Sequence, residues 1–167
     1  MKIEGAKILV TGGAGLIGST TIDQLLANEN PAEIVILDNM SRGTTRNLES
    51  ALKDERVKLI QGDIRDKNLV YKVTEGMDAV IHMAAIRITA CAADPREAME
   101  VMNDGTFNVI DAAHKAGVKK VLAASSASIL GLADSFPTTE DHHPYNNRTW
   151  YGASKIMLEG LLRSYND

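Results

Sequence analysis

Tyr151 and Lys155 lie four residues apart near the carboxyl end of the chain, and their types and spacing suit proton transfer. Residues at i and i+4 share one face of a helix, so a helix here would hold the ammonium beside the tyrosine ring. The cation stabilises a phenolate, which can accept a proton from a substrate alcohol. Upstream, Ser125 and Ser126 end an apolar run, where a hydroxyl can hydrogen-bond the reacting oxygen. These residues predict a tyrosine-dependent redox site.

Gly12, Gly15 and Gly18 stand between a short apolar run and a segment of helical period. In a strand–loop–helix unit the first glycine permits a tight turn, and the second lets the backbone approach a pyrophosphate. The third lets the helix pack on the strand. Free N–H groups and the helix dipole favour an anion at the helix start. The spacing predicts a dinucleotide site that includes the backbone of Leu16 and Ile17.

Asp38 ends the second apolar run, about 20 residues past the glycines, where such sites place an acid. Its carboxylate can accept hydrogen bonds from both adenine-ribose hydroxyls and would repel a 2′-phosphate, so NAD is expected rather than NADP. Arg42 lies close enough in sequence to meet a 2′-phosphate and keeps that alternative open. Asp63 and Ile64 end the third run, where an adenine contact and an ordinary turn are both consistent with the sequence.

The elements that must position these residues alternate along the chain. Nearly continuous apolar runs separated by helical segments predict an α/β fold with a doubly wound parallel sheet. Right-handed crossovers give the strand order 3-2-1-4-5, and residues 1–167 are expected to form one domain. The predicted strands are 7–10, 33–38, 57–61, 79–83 and 118–125, and the predicted helices are 16–28, 68–75, 95–116 and 151–165. A polar loop is expected over 132–149.

Composition excludes several classes of function. The chain has 167 residues and a formal net charge of −4, and no basic cluster that would suit nucleic acid or an anionic membrane. Cys91 is the only cysteine, so no internal disulfide can form and a reducing compartment is expected. No run approaches the roughly 18 apolar residues of a membrane span. Without a signal-peptide pattern at the start, the sequence predicts a cytoplasmic protein.

Three histidines are candidates for other chemistry. His82 ends the fourth apolar run and is expected to pack and hydrogen-bond there rather than act in catalysis. His142 and His143 lie in the polar loop, with no acid or cysteine evident at metal-ligand spacing. No metal site is therefore expected.

Taken together, these segments resemble the N-terminal half of an extended short-chain dehydrogenase/reductase, of the NAD-dependent sugar epimerase/dehydratase type with UDP-glucose 4-epimerases as nearest relatives. The matching segments are Thr11–Gly18, Leu37–Asn39, Gly62–Asp66, His82–Ala85, Ser125–Gly131 and Tyr151–Lys155.

The resemblance implies a Rossmann-type fold, NAD as cofactor and a reaction that oxidises a sugar hydroxyl by hydride transfer. It implies that Tyr151 is the base, that Lys155 binds the nicotinamide ribose and that Ser126, counted back from Gly131, polarises the substrate hydroxyl. The residues implied to bind cofactor are Gly12, Gly15, Leu16, Ile17, Gly18, Asp38, Asn39, Asp63, Ile64, Ala84, Ala85, Arg87, Tyr151 and Lys155.

The resemblance also implies a nucleotide-sugar substrate, a C-terminal substrate domain that is absent here, and a homodimer. Helices 95–116 and 151–165 would pair with their copies, with Met99, Met102, Ile156, Met157 and Leu161 as contacts. Two alternatives stay open: a truncated NAD-binding module without turnover of its own, and a short dehydrogenase/reductase that acts on a smaller alcohol or carbonyl substrate.

Overall fold

A computed structural model describes residues 1–166 and contains one parallel sheet. The strands are β1 (Lys7–Thr11), β2 (Glu33–Asp38), β3 (Val57–Gln61), β4 (Ala79–His82) and β5 (Lys120–Ala123). Their order is β3-β2-β1-β4-β5, and every neighbouring pair is parallel. The predicted Rossmann-type fold and strand order are confirmed.

The helices cover both faces of this sheet. They are α1 (Leu16–Asn28), α2 (Lys67–Thr74), α3 (Ile88–Ala93), α4 (Pro95–Ala98), α5 (Thr106–Lys115) and α6 (Trp150–Ser164). A π-helical turn, Met99–Gly105, joins α4 to α5. Short 3-10 turns lie at Thr45–Leu48, Ala51–Lys53 and Ala127–Leu130; the last is called the serine turn below.

The apolar core lies in two layers, one on each face of the sheet. Alternate side chains of a strand point to opposite faces. Ile8 and Val10 accordingly join the cluster that contains Ile22 of α1. Leu9, between them, joins the cluster that contains Val70 of α2 and Val109 of α5. Burial on both faces explains why the central strands read as continuous apolar runs.

Strand register places the candidate site residues together at the carboxyl ends of the strands. Thr11 at the end of β1 is aligned with Leu37 on β2 and with His82 on β4. Asp38 is aligned with Gln61 at the end of β3. Because carboxyl ends of parallel strands form the ligand crevice in such sheets, the loops that follow these strands converge there.

The predicted helix 95–116 is confirmed at its ends but not in its interior. The Asp94 carboxylate accepts a hydrogen bond from Glu97 N at 2.9 Å, and Gly117 ends the helix with φ of +69°. Between them the π turn interrupts the α-helical hydrogen bonding. Short helix α3 was not predicted, because six residues are too few to show a helical period. β5 is also shorter than the predicted strand 118–125.

The predicted dimer contact at Met102 is wrong. Met102 is only 3% exposed and packs with Cys91 and Ala98 inside the chain. The inward orientation follows from its place in the π turn, where its thioether also accepts a hydrogen bond from Ile86 N at 3.4 Å. Separately, among residues 1–166 there is no helix with the length and apolarity needed to cross a bilayer.

Candidate active site

A cavity of about 860 Å³ opens at the carboxyl ends of β1, β2 and β4. The glycine loop between β1 and α1 forms one wall, and the start of α6 forms another. Every residue predicted to bind cofactor lines it: Gly12, Gly15, Leu16, Ile17, Gly18, Asp38, Asn39, Asp63, Ile64, Ala84, Ala85, Arg87, Tyr151 and Lys155. The fold therefore brings these residues from five separate segments of the chain to one site.

The glycine loop is too tightly packed for side chains at two positions. Gly12 has φ of +71°, and a Cβ there would lie 2.6 Å from Ala84 N. A Cβ on Gly18 would lie 2.5 Å from Gly12 O. Helix α1 then begins after Gly15 with no side-chain cap and no acidic residue in its first turn. Its first N–H groups stay available to an anion, as a pyrophosphate site requires.

Asp38 is held rigidly at the end of β2. Its Oδ2 accepts a hydrogen bond from Ala14 N at 2.9 Å, and its Oδ1 accepts one from Met40 N at 2.8 Å. The residue is 8% exposed. Each carboxylate oxygen has lone pairs for more than one hydrogen bond, so the group can bind the glycine loop and ribose hydroxyls together.

Asp63 is already engaged with neighbouring side chains. Its two oxygens accept hydrogen bonds from Arg65 Nε and Nη2, at 3.0 and 2.9 Å, and from Asn39 Nδ2 at 2.9 Å. Hydrogen bonds from Arg65 lower the pKa of Asp63 to about 2. The adenine contact predicted for Asp63 would have to share a carboxylate that is already paired. Ile64, 5% exposed, lies beside it in the wall.

Tyr151 and Lys155 lie on the first turns of α6. The helix starts where Thr149 Oγ1 accepts a hydrogen bond from Gly152 N at 3.0 Å. Lys155 is 5% exposed, and its Nζ donates a 2.6 Å hydrogen bond to Ala124 O. Nζ lies 5.8 Å from the centroid of the Tyr151 ring. Burial lowers the pKa of Lys155, and the ammonium is well placed to stabilise negative charge on the tyrosine.

The serine that the resemblance implies for catalysis, Ser126, is not one of those that line the cavity. Ser125 and Ser128 line the cavity, whereas Ser126 is not among the lining residues of the described chain. Ser126 instead begins the serine turn, because its Oγ accepts a hydrogen bond from Ser128 N at 3.1 Å. Ser125 Oγ donates to Glu159 Oε1 of α6 at 2.5 Å.

Comparison with known proteins decides the family. The model of the NAD dependent epimerase/dehydratase family matches residues 8–167. This chain belongs to that family. It is 38% identical over 164 residues to UDP-glucose 4-epimerase of Mycolicibacterium smegmatis, covering 96% of this chain and 51% of the relative. Over 161 residues it is 37% identical to UDP-glucose 4-epimerase of Bacillus subtilis, covering 93% and 47%.

Solved structures of the family have the same fold. A UDP-N-acetylglucosamine 4-epimerase from Methanobrevibacter ruminantium matches with a TM-score of 0.89 and 28% identity, covering 98% of this chain and 51% of that one. The dTDP-glucose 4,6-dehydratase DesIV from Streptomyces venezuelae, with NAD bound, matches with a TM-score of 0.88 and 34% identity, covering 96% and 51%. The chain thus spans about half the length of the relatives it matches.

Asn147 is a site residue of this family member that the sequence analysis missed. Its Nδ2 donates a short hydrogen bond to Ser128 O, and its Oδ1 accepts one from Thr149 N at 2.9 Å. One side chain therefore ties the serine turn to the residue that caps α6. An asparagine in a polar loop carries no sequence signal for this role, because both partners are found only in the folded chain.

His82 packs and hydrogen-bonds as predicted. Its ring lies between Thr11 Oγ1, 2.7 Å from Nδ1, and Thr106 Oγ1, 3.1 Å from Nε2. Complete burial lowers the pKa of His82 to about 3, so the ring is neutral near pH 7. It joins β1 and β4 to α5 beneath the cavity rather than reacting in it.

The polar loop contains an acidic partner for His142 and His143 that the sequence spacing did not show. Asp134 supplies the acid that the sequence analysis did not find, and its carboxylate lies beside both His142 and His143. The three donor atoms are within 4.8 Å of one another. The seven residues between Asp134 and His142 conceal this proximity, because the chain folds back between them.

Proposed function

We propose that this chain binds NAD and uses Tyr151 as the base that accepts a hydroxyl proton from a nucleotide sugar, as in UDP-glucose 4-epimerases. The observation that carries the proposal is that Tyr151 and Lys155 line the same cavity as the glycine loop and Asp38. The relatives named above support a UDP-sugar substrate.

The residues in the cavity fit NAD. The cradle formed by Gly12 and Gly18 admits no Cβ, so a pyrophosphate can approach the backbone closely. The uncapped start of α1 complements its negative charge. The carboxylate of Asp38 suits a free ribose diol and repels a 2′-phosphate, which favours NAD over NADP.

The chemistry follows from the residues around Tyr151. When bound, NAD supplies the acceptor for a hydride that leaves the sugar carbon. Tyr151 accepts the hydroxyl proton, and Lys155 stabilises the phenolate that makes this possible. The family resemblance assigns the hydrogen bond to the substrate oxygen to Ser126, whose Oγ accepts a hydrogen bond from Ser128 N and keeps its own proton to donate. In the structure Ser125 and Ser128 line the cavity and Ser126 does not, so this role rests on the resemblance alone.

Epimerisation suits this set of groups better than dehydration. Tyr151 can return the proton it accepted, so an epimerisation needs one acid–base residue. A dehydration must also remove a proton from carbon and protonate a leaving hydroxyl. Among the described residues, the carboxylates that line the cavity are Asp38 and Asp63, and neither belongs to the segments that carry the serine turn and Tyr151.

Cofactor binding is tested by calorimetric titration of the chain with NAD and with NADP. We expect one saturable NAD site and NADP binding weaker by at least about tenfold, or about 1.4 kcal/mol. Asp38→Ser should reduce that preference, whereas Glu49→Gln, which replaces an exposed acid outside the cavity, should not. Failure to bind NAD would contradict the proposal.

Turnover is tested by converting UDP-galactose to UDP-glucose in the presence of NAD. Tyr151→Phe should lower the rate by at least about 100-fold, the scale of a lost general base, and change NAD affinity much less than it changes the rate. Tyr145→Phe is the matched control, since Tyr145 is 87% exposed and outside the cavity. NAD binding without turnover would favour the binding module. NADH formation from small alcohols alone would favour the short dehydrogenase.

We also propose a homodimer through α5 and α6, the helices that occupy the predicted segments 95–116 and 151–165. Each helix presents an apolar side chain to solvent: Phe107 is 40% exposed and Met157 is 37% exposed. Apolar side chains of this size on adjacent helices are suited to an isologous contact. The remaining predicted contacts, Met99, Ile156 and Leu161, are half-buried.

A further inference from the structure

The loop between the serine turn and α6 contains a cluster of metal-binding side chains that the proposed reaction does not use. We propose that Asp134, His142 and His143 form a binding site for one first-row divalent cation such as Zn²⁺. The ligands are one carboxylate oxygen of Asp134 and the Nε2 atoms of the two imidazoles. A two-histidine, one-carboxylate set favours Zn²⁺, Co²⁺ or Ni²⁺ over Mg²⁺ and Ca²⁺, which prefer oxygen ligands.

The distances between donor atoms suit a single ion. Asp134 Oδ2 lies 2.8 Å from His143 Nε2 and 3.7 Å from His142 Nε2. Ligand atoms of a tetrahedral zinc site, with bonds of about 2.0–2.1 Å, are about 3.3 Å apart. The observed separations lie on either side of that value. Small side-chain rotations would bring the donor atoms to that spacing, since all three lie within 4.8 Å of one another.

Neighbouring groups already orient two of the three ligands. His142 Nδ1 lies 2.7 Å from the backbone oxygen of His143, so Nδ1 carries the proton and Nε2 presents a lone pair. Asn146 Nδ2 donates to Asp134 Oδ1 at 2.8 Å, which leaves Oδ2 directed at the imidazoles. Outer hydrogen bonds of this kind fix the tautomer and direction of metal ligands.

His143 would change its tautomer on binding. Without metal its Nε2–H donates to Asp134 Oδ2 at 2.8 Å, and its Nδ1 accepts a longer hydrogen bond from Tyr145 N at 3.3 Å. The ion replaces the proton on Nε2, and the ring keeps its neutral form by carrying a proton on Nδ1. Two hydrogen bonds are given up in exchange: the one from Tyr145 N to His143 Nδ1 and the one from Asp134 N to His142 Nε2.

The cation would brace the loop that leads into the active helix. Asn146 follows the histidines and is bonded to Leu132 O at 3.1 Å as well as to Asp134. The next residue, Asn147, holds the serine turn. An ion that crosslinks Asp134 to His142 and His143 closes this loop just beyond the serine turn and restrains its path toward Tyr151.

The experiment uses the whole chain without a polyhistidine tag, stripped with a chelator and titrated with Co²⁺ and Zn²⁺. We expect one equivalent of Co²⁺ to produce the visible d–d absorption of a tetrahedral site, and Zn²⁺ to abolish it. Zn²⁺ affinity is then measured by competition with a chromophoric chelator. Asp134→Asn and His143→Asn should each weaken Zn²⁺ binding by at least about tenfold, the low end of the cost of disturbing a metal site.

His114→Asn is the matched control, because it removes an exposed imidazole on α5 that lies outside the cluster. It should leave the affinity unchanged, while far-UV circular dichroism of the metal-free variants should match the parent chain. Equal Zn²⁺ affinity in the parent, Asp134→Asn and His143→Asn would overturn the proposal. Absence of the tetrahedral Co²⁺ spectrum in the parent chain would overturn it as well.

Discussion

At the scale of single residues, the site contains two buried titratable side chains that differ in charge: Lys155 is a cation and His82 is neutral. Lys155 is buried with a backbone carbonyl as its hydrogen-bond partner, and among the described residues it forms no ion pair. Burying such a cation costs free energy, and the proposed role of Lys155 beside Tyr151 gives this cost a functional reason. His82, by contrast, is buried in its neutral form and both ring nitrogens are hydrogen-bonded. Its effect is on stability rather than on reactivity.

The lowered pKa of His82 makes the free energy of unfolding depend on pH. Its pKa is about 3 in the folded chain and 6.5 as a reference, so the unfolded chain binds the extra proton between these values. Stability should therefore be unaffected by this group above pH 6.5 and should fall below it, by up to about 1.4 kcal/mol per pH unit.

Urea unfolding at about pH 7.5 and about pH 5 measures that slope. His82→Gln, which retains a donor and an acceptor for Thr11 and Thr106, should show a smaller loss of unfolding free energy between the two conditions. The comparison is made within each protein, so a general destabilisation by the substitution does not affect it. An identical pH dependence in both proteins would argue against the assignment.

At the scale of elements, the interrupted helix shapes the cavity floor. Gly105 ends the π turn, and a Cβ there would lie 2.7 Å from Ile64 Cδ1, so the missing side chain lets the helix approach that cavity residue. Asn103 Oδ1 in the same turn is buried without a hydrogen-bond partner among residues 1–166. Local π-helical turns are frequent at functional sites. Here the π turn lies between Ile64 in the cavity wall and helix α6.

Asn147 connects two other elements, and its removal should loosen both. Asn147→Ala removes one of the hydrogen bonds to Ser128 O and the side-chain hydrogen bond to Thr149 N, so we expect the free energy of unfolding to fall by about 1–2 kcal/mol. NAD affinity should be unchanged, because the glycine loop is untouched. Urea unfolding and NAD titration measure the two quantities.

Two further variants separate the contributions of Asn147. Asn147→Asp retains an acceptor for Thr149 N but loses the donor to Ser128 O, so it should keep the cap of α6 and still release the serine turn. Asn28→Ala removes an exposed asparagine side chain of α1 and should leave stability nearly unchanged. If Asn147→Ala were as stable as the parent chain, the connecting role would be excluded.

At the scale of the whole molecule, exposed apolar side chains occur at an edge of the sheet and on the α5–α6 face, among other places. β5 is an edge strand, and its Leu122 is 51% exposed. An open edge with apolar side chains favours association. The β5 edge and the α5–α6 face thus both present apolar side chains to solvent.

The dimer proposal predicts that the chain sediments as a dimer at micromolar concentration. Met157→Asp should shift the equilibrium toward monomer, because it places a charge on the exposed face of α6. Tyr145→Asp changes an even more exposed residue outside the two helices and should not. Analytical ultracentrifugation distinguishes these outcomes, and a monomeric parent chain would refute the dimer.

The sequence by itself determined the fold class and the strand order, and it predicted cofactor-binding residues that all lie in the lining of the cavity. These depend on local patterns: apolar runs, the glycine spacing, Asp38 at a strand end and the Tyr151–Lys155 pair on one helix face. Such patterns are readable because neighbours in the chain decide them. The helix boundaries at Asp94 and Gly117 were predictable for the same reason.

Only the tertiary structure decided which polar groups meet across the chain. Asn147 reaches Ser128, and Asp134 joins His142 and His143, through turns that leave no periodic signal. The inward Met102 and the π turn around it depend on packing against separate segments. Long-range contacts form wherever folding brings donors and acceptors within bonding distance. Sequence spacing therefore predicted the cofactor cavity but neither the residue that ties its serine turn to α6 nor the candidate metal site beside it.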